Sequence, residues 1–412
     1  MAETTADRVL PRERATGDLW LLGISLALLG AGLIMVLSAS NVYSLQTTGS
    51  TFNIFFHQVG YAALGLMGLV IASRIDYHRL RHWALPAFAV TVLLLLAVLV
   101  PHIGESAYGA TRWLNIPGLP FQLQPSEVAK LTVAVFLASW MSKRTRSLDT
   151  FADGFLPYAV LMAVVVGLLA LQKDLGTLIV TTVMMVAIYY AGGGRARYLA
   201  LLGMAALAAM GGLVAVERYR VERVLTFLNP FADPSNTTLQ AYQGLVALGS
   251  GGLTGVGLGH SIEKYQWLPE APTDFIFAII GEETGLIGAT LVIAGFVFFT
   301  VRGFRAAMRA PDRFGVALAA AITTWIAVQA FINIGVVTAS LPVTGVPLPF
   351  ISYGGTALVM TLTGVGVLLN VSAQGSRPSL SGERRGHAAA HRGRGDRGSR
   401  VSGTRDRTGV PS

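Results

Sequence analysis

Ten apolar runs recur along this chain of 412 residues. Each is close to the ~20 residues that an α-helix needs to cross a bilayer. They lie at about 18–40, 55–73, 80–101, 126–142, 155–172, 175–191, 197–217, 274–301, 314–340 and 353–373. A backbone in hydrocarbon must satisfy its own hydrogen bonds, so runs of this length are expected to be helices. The pattern predicts an all-α, polytopic membrane protein with about ten transmembrane helices. Composition agrees: 53% of residues are hydrophobic and 13% charged, about half the charge of a soluble domain. That excludes an ordinary soluble enzyme, a disordered protein and a fibrous one. The absence of cysteine excludes disulfides and thiolate chemistry. The first run is too long for a signal-peptide core and lacks a small-residue cleavage site after it, so it is expected to remain as a helix.

Lys and Arg set the orientation. With the N-terminus in the cytoplasm, the short inner segments hold fifteen of the 31 basic residues, and a tail from Gly375 holds nine more, all Arg. The outer loops hold only Arg112, Lys173, Arg218, Arg220, Arg223 and Lys264. Both termini are therefore expected inside. Three parts follow: an arm at 1–17, a membrane domain at 18–374 and a basic tail at 375–412. The tail is rich in Gly, Arg and Ser, a composition that cannot bury a core. Below a membrane such a charge favours anionic lipid over nucleic acid. The net charge of +9 is thus mostly topological, and no nucleic-acid partner is expected.

The outer face departs from the minimum that topology requires. The loop at 218–273 is long, and long loops in compact proteins are usually functional. Its first part, Arg218 to Gln243, is polar. Its second, Gly244 to Gly259, is glycine-rich and weakly apolar. A segment dipping into the outer leaflet or packing over a cavity fits that composition; a flexible linker is the alternative. Its four basic residues are kept outside against the positive-inside bias, which suggests a cover over an anionic substrate or, for Arg218, Arg220 and Arg223, an interfacial belt.

Ionisable residues at or within the spans are functional candidates because lipid makes them costly. Glu127 and Lys130 are spaced to pair on one helical face. That pair either belongs to a site or only makes both charges tolerable. Gln172-Lys173-Asp174 reads as a short solvated turn. Arg112 beside Trp113 suits either an interfacial anchor or a phosphate contact. Asp274 stands at the outer mouth of the eighth span. It could cap a helix, with Thr273 as the alternative cap. It could instead be a desolvated carboxylate with a raised pKa, usable as a base near neutral pH. Glu282 lies about 80° around the helix from Asp274 and could line the same cavity, whereas Glu283 is nearly opposite.

Four stretches carry a resemblance: GATRWL, QPSEVAK, LPEAPTDFIFAIIGEETGLIG and LPVTGVPLPFISYGGTAL. Taken in order, they resemble the SEDS family of shape, elongation, division and sporulation proteins, which includes FtsW and RodA. The similarity runs from the first span to the tenth. Gly257–Lys264, followed by Leu268–Ala271, is closer to the FtsW branch.

The resemblance implies a peptidoglycan glycosyltransferase that polymerises lipid II on the outer face of the bacterial cytoplasmic membrane. It places the family's essential aspartate on Asp274, its acidic and basic pair on Glu127 and Lys130, and its arginine before Trp on Arg112. Gln122 stands where many relatives carry a basic residue, which puts in doubt any donor-phosphate contact at that position. The lipid II sugar is α-linked and the polymer β-linked, so one displacement inverts the centre and one general base suffices. Asp274 would take the proton of the acceptor 4-hydroxyl. Arg112 and Lys130, then Lys264 and Arg218, would stabilise the pyrophosphate leaving group. A Mg²⁺ or Mn²⁺ ion could share that task, although no metal-ligand cluster is legible. Expected partners are lipid II, the growing glycan strand, membrane lipids, a class B penicillin-binding protein and other divisome membrane proteins. A RodA-like elongation role is the nearer alternative and a lipid II flippase the more distant one. A flippase needs polar residues through the whole bilayer, and here they gather in the outer half.

Overall fold

The computed structural model describes residues 17–102, 104–107, 110–114, 122–144, 150–216, 218–233, 238–265 and 267–375. The arm before Gly17 and the tail after Gly375 lie outside the described residues, as does the side chain of Arg218.

The chain is helical almost throughout. Among the described residues twelve α-helices run α1 Leu19–Thr48, α2 Asn53–Arg74, α3 Leu80–Val98, α4 Pro125–Lys143, α5 Leu156–Leu171, α6 Leu175–Ala191, α7 Ala196–Val216, α8 Arg218–Leu228, α9 Leu239–Ser250, α10 Ile276–Met308, α11 Arg313–Val337 and α12 Gly355–Gly375. A small antiparallel hairpin, β1 Gly104–Ala107 and β2 Ala110–Leu114, interrupts the all-α pattern between α3 and α4. Each apolar run of the sequence coincides with one helix. Among the described residues seven spans are long and apolar enough on their own to cross a membrane, those of α1, α2, α3, α5, α10, α11 and α12. Helices α6 and α7 are apolar but shorter, and α4 carries Glu127, Lys130 and Lys143.

Local chemistry explains the helix ends. Asp18 caps α1 by accepting from the N–H groups of Trp20 and Leu21, and Gly49 closes that helix in the left-handed region. Pro125 opens α4, where its missing N–H is not needed. Asp174 and Asp312 cap α6 and α11 through Thr177 N–H and Gly315 N–H.

Helix α11 is the axis of the bundle. It packs on α4, α6, α10 and α12, and 72% of its most apolar window is buried, against 22–39% for α1, α2, α3, α5 and α10. In lipid there is no hydrophobic drive between helices, so close approach and buried polar contacts must hold them. Helices α2 and α12 illustrate this: Gly65 and Gly68 admit Leu362 and Thr363. Gln58 donates to Ser352 O at 3.1 Å and Asn370 to Ser73 O at 2.7 Å. Where α1 begins, Arg302 of α10 pairs with Asp18 at 2.6 Å.

The region expected as the loop 218–273 is partly helical, containing α8 and α9. Its glycine-rich half is packed backbone to backbone on α10. A Cβ at Gly251 would lie 2.0 Å from Gly281 O, and one at Gly255 would lie 2.1 Å from Glu283 O. Helix α10 breaks at Gly285, whose φ is 65°. The broken ladder is repaired by this segment. Val256 N–H donates to Glu282 O and Gly257 N–H to Glu283 O, while Leu286 and Ile287 donate to Gly252 O and Leu253 O. The stretch is therefore a docked element and not a flexible linker.

Candidate active site

Asp274 lies in the turn that precedes α10, just outside that helix. The residue at the helix N-cap is Phe275, and it makes no side-chain cap; Asp274 caps nothing. Its turn is pinned from several sides. Thr273 Oγ1 donates to Glu270 Oε2 at 2.7 Å, and Tyr353 N–H donates to Pro272 O at 2.9 Å. Asn333 of α11 donates to both Asp274 O at 2.7 Å and Val346 O at 2.8 Å, tying this turn to the 343–349 segment. The turn's backbone is held, while the Asp274 carboxylate makes no hydrogen bond or ion pair with any described residue.

Cations stand beside that carboxylate. Arg112 arrives on β2, and Gly345 brings it next to Asp274. Both side chains border this glycine: a Cβ there would lie 3.4 Å from Asp274 Oδ2 and 3.7 Å from Arg112 Nη1. Arg112 Nε is 4.0 Å from Asp174 Oδ1, and its Nη2 donates to Lys173 O at 3.3 Å. Arg223 of α8 donates to Val343 O at 2.8 Å, on the same segment. Asp274 is partly accessible at its surface, yet its carboxyl is densely surrounded, and that desolvation pushes its pKa up to about 7. Glu270 adds to the rise, Arg112 and Arg223 pull the other way, and Asp174 raises it slightly. The result is a carboxylate that exchanges protons near neutral pH beside two guanidinium groups.

Glu127 and Lys130 meet as their spacing predicts, with Lys130 Nζ 2.7 Å from Glu127 Oε1 and both buried. Lys130 also donates to Gln329 Oε1 at 2.7 Å and lies 5.1 Å from the centre of the Trp325 ring. Gln329 in turn donates to Pro347 O at 3.0 Å. The pair thus supports, from the bundle interior, the same 343–349 segment that faces Asp274.

Several expectations are corrected. Glu282 does not line the cavity of Asp274. It accepts from Ser261 Oγ and from Ile262 N–H at 2.8 Å, because the docked glycine segment covers that side of α10. Lys264, expected at the pyrophosphate, is 3% exposed; it donates to Gly259 O at 2.5 Å and sits 3.4 Å from Glu283. The Gln172–Asp174 turn is not simply solvated, because Gln172 and Asp174 are both buried. Arg223 is no mere interfacial belt residue. Arg218 opens α8, and its side chain lies outside the described residues. Among the described residues, no three His, Asp or Glu side chains converge to hold a metal ion.

Residues 19–377 match the family model for the FtsW, RodA and SpoVE cell cycle proteins. The chain belongs to this family. It is 43% identical over 357 residues to the probable peptidoglycan glycosyltransferase FtsW of Geobacter metallireducens, covering 87% of this chain and 95% of that one. It is 39% identical over 360 residues to the stage V sporulation protein E of Bacillus subtilis, covering 87% and 98%. Among solved structures, a chain from a peptidoglycan synthase complex that coordinates polymerisation and crosslinking superposes with a TM-score of 0.70 at 27% identity, covering 88% of this chain and 99% of that one. The rod shape determining protein RodA of Thermus thermophilus gives 0.65 at 26%, covering 89% and 100%. Membership in the FtsW/RodA/SpoVE family, together with the apolar helices, makes this an integral multi-pass membrane protein.

Proposed function

We propose that this family member is a peptidoglycan glycosyltransferase of the FtsW type, which polymerises lipid II on the outer face of the bacterial cytoplasmic membrane. The observation that carries the reading is the Asp274 carboxylate: without a hydrogen-bond or ion-pair partner among the described residues, poised near pH 7 and close to Arg112 and Arg223. Relatives named for the same activity support it.

In the proposed step Asp274 accepts the proton of the acceptor sugar's 4-hydroxyl. The oxygen attacks the anomeric carbon of the donor, the bond to pyrophosphate breaks, and the centre inverts. Negative charge grows on the departing pyrophosphate. Arg112 and Arg223 are positioned to hold it, since guanidinium groups match phosphate oxygens in a bidentate fork. Lys130, held by Glu127 and Gln329, stabilises the segment that carries Gly345. Lys264, buried and paired with Glu283, is assigned no part in this step. Among the described residues, no three His, Asp or Glu side chains converge to hold a divalent ion. A class B penicillin-binding protein is the proposed partner for crosslinking, and septal wall synthesis the proposed setting.

The test is a polymerisation assay with purified protein and labelled lipid II, with and without that partner. Wild type should yield long glycan chains. Asp274→Asn should yield none while remaining folded and membrane-inserted. Polymer from the Asp274→Asn protein at the wild-type rate would overturn the assignment.

A further inference from the structure

The segment 251–267 is inverted relative to a water-facing surface. Its charged side chains, Glu263 and Lys264, are buried at 7% and 3%. Its apolar side chains point outward: Leu253 is 69% exposed, Leu258 57%, Ile262 66% and Trp267 61%. A segment in water would do the reverse. The row is continuous with an outward apolar face on α10, formed by Leu286, Ile287 and Leu291.

Depth can be counted along α10. Its inner boundary is marked by Arg302, paired with Asp18. From there, about twenty residues of helix cross about 30 Å of hydrocarbon, which reaches the level of Glu282. The segment is hydrogen-bonded to α10 between Glu282 and Ile287, so it sits in the outer part of that thickness. Non-helical backbone is tolerated there only where protein satisfies it. The four main-chain bonds to the break at Gly285 do this. Charges at that depth must also be enclosed, and here Glu282, Glu283, Glu263 and Lys264 are all buried beneath the segment.

We propose that segment 251–267 is a re-entrant anchor whose outward row lies against the acyl chains of the outer leaflet. Leu253, bonded through its carbonyl to Ile287, is the deepest residue, and Trp267 lies at the interface, where indole rings favour the headgroup level. The anchor would set the depth of the turn at 268–274. This inference rests on burial and depth and not on the glycosyltransferase reading.

The chain has no cysteine, so single-cysteine spin labelling needs no background removal. Leu253→Cys, Leu258→Cys, Ile262→Cys and Trp267→Cys are labelled in the full chain, reconstituted in phosphatidylglycerol–phosphatidylethanolamine vesicles. Collision with oxygen, which concentrates in hydrocarbon, is compared with collision with a water-soluble nickel chelate. Leu291→Cys serves as the lipid-facing reference and Ser340→Cys as the aqueous one. Oxygen should dominate at the three aliphatic sites, with depth falling from Leu253 to Ile262 and Trp267 shallowest. Nickel access at Leu253 and Leu258 equal to that at Ser340 would overturn the proposal in favour of a water-facing loop. Low collision with both reagents would overturn it in favour of a protein-covered surface, whether a second copy or another helix. Where a label perturbs the fold, quenching of Trp267 by brominated lipid, scored against Trp267→Phe, replaces it: strong quenching supports the anchor, and none overturns it.

Discussion

Two sets of acidic side chains lie within nine residues of each other, and they are built in opposite ways. Glu282 and Glu283 are saturated. They accept from Ser261, Ile262 and Ser38, with Lys264 alongside. Asp274 has cations and carboxylates around it, but among the described residues no hydrogen-bond donor is committed to its carboxylate oxygens. A buried carboxylate whose acceptor sites are filled is a structural strut, since each bond favours its charged form and fixes its position. A desolvated carboxylate left without donors keeps its basicity and has an open face for a substrate proton. The difference comes from what covers each side of α10: the docked glycine segment over Glu282 and Glu283, a pinned but open turn at Asp274.

The comparison is broken most directly by removing the base. Asp274→Asn should lower the polymerisation rate by about 10²–10⁴, measured as glycan product per folded molecule. Glu282→Gln should leave the rate per folded molecule within a few-fold of wild type. Equal losses in both would erase the distinction. A second readout separates them. The Asp274 pKa of about 7 is raised from its ordinary 3.8, so the folded state binds its proton more tightly. Its contribution to stability is present below about pH 4 and is lost as pH rises through 7. Asp274→Asn should therefore gain melting temperature relative to wild type at pH 8 and not at pH 4.

The next effect is structural. Lys264→Met leaves Glu283 without its cation beside Glu282 and Glu263, and breaking a buried pair on one side costs about 3–5 kcal/mol. Unfolding in detergent should show that loss. Activity per folded molecule should persist, because Lys264 serves the strut and not the open site. A Lys264→Met protein of wild-type stability with no polymerase activity would return Lys264 to the pyrophosphate.

Arg112 sharpens the electrostatic side. It holds the Asp274 pKa down against desolvation. In Arg112→Gln the acid limb of kcat/KM, set by the free enzyme's base, should move to higher pH, while Arg223 continues to restrain it. A limb that stays in place while the rate drops would make Arg112 a phosphate contact alone.

The sequence made some of this legible and hid the rest for identifiable reasons. The helices were readable because length and hydropathy are local properties, and the Glu127–Lys130 contact because i,i+3 neighbours meet on any helix. Asp274 stood out because a carboxylate before an apolar run is costly unless used. Its neighbours beyond Arg112 were not legible as such. Asp174, Arg223 and Asn333 come from α6, α8 and α11, and only the packing of those helices brings them to one turn. Asn333, an amide inside an apolar span, and Asp174, at the start of α6, were signals available to a closer reading. Lys264 and Glu282 misled because their partners, Glu283 for the one and Ser261 and Ile262 for the other, are met only when the loop docks on α10, at a separation no spacing rule contains.

The smallest expected effect concerns Gly345, which separates Asp274 from Arg112. Its φ of 70° lies where only glycine is unstrained. An added Cβ would stand 3.4 Å from Asp274 Oδ2 and 3.7 Å from Arg112 Nη1. Those are ordinary contacts, so the space itself tolerates the methyl group and the backbone does not, at about 1–2 kcal/mol. Gly345→Ala should therefore lower stability modestly. It should also insert an apolar group between base and cation, which desolvates both and weakens the hold of Arg112 on the Asp274 proton. The rate should fall by less than tenfold at pH 8 and by more at pH 6.5, where a further rise in the Asp274 pKa leaves less of the base ionised. A stability loss with an unchanged pH profile would show that Gly345 serves only the turn, and that the gap between Asp274 and Arg112 is an incidental consequence of backbone geometry.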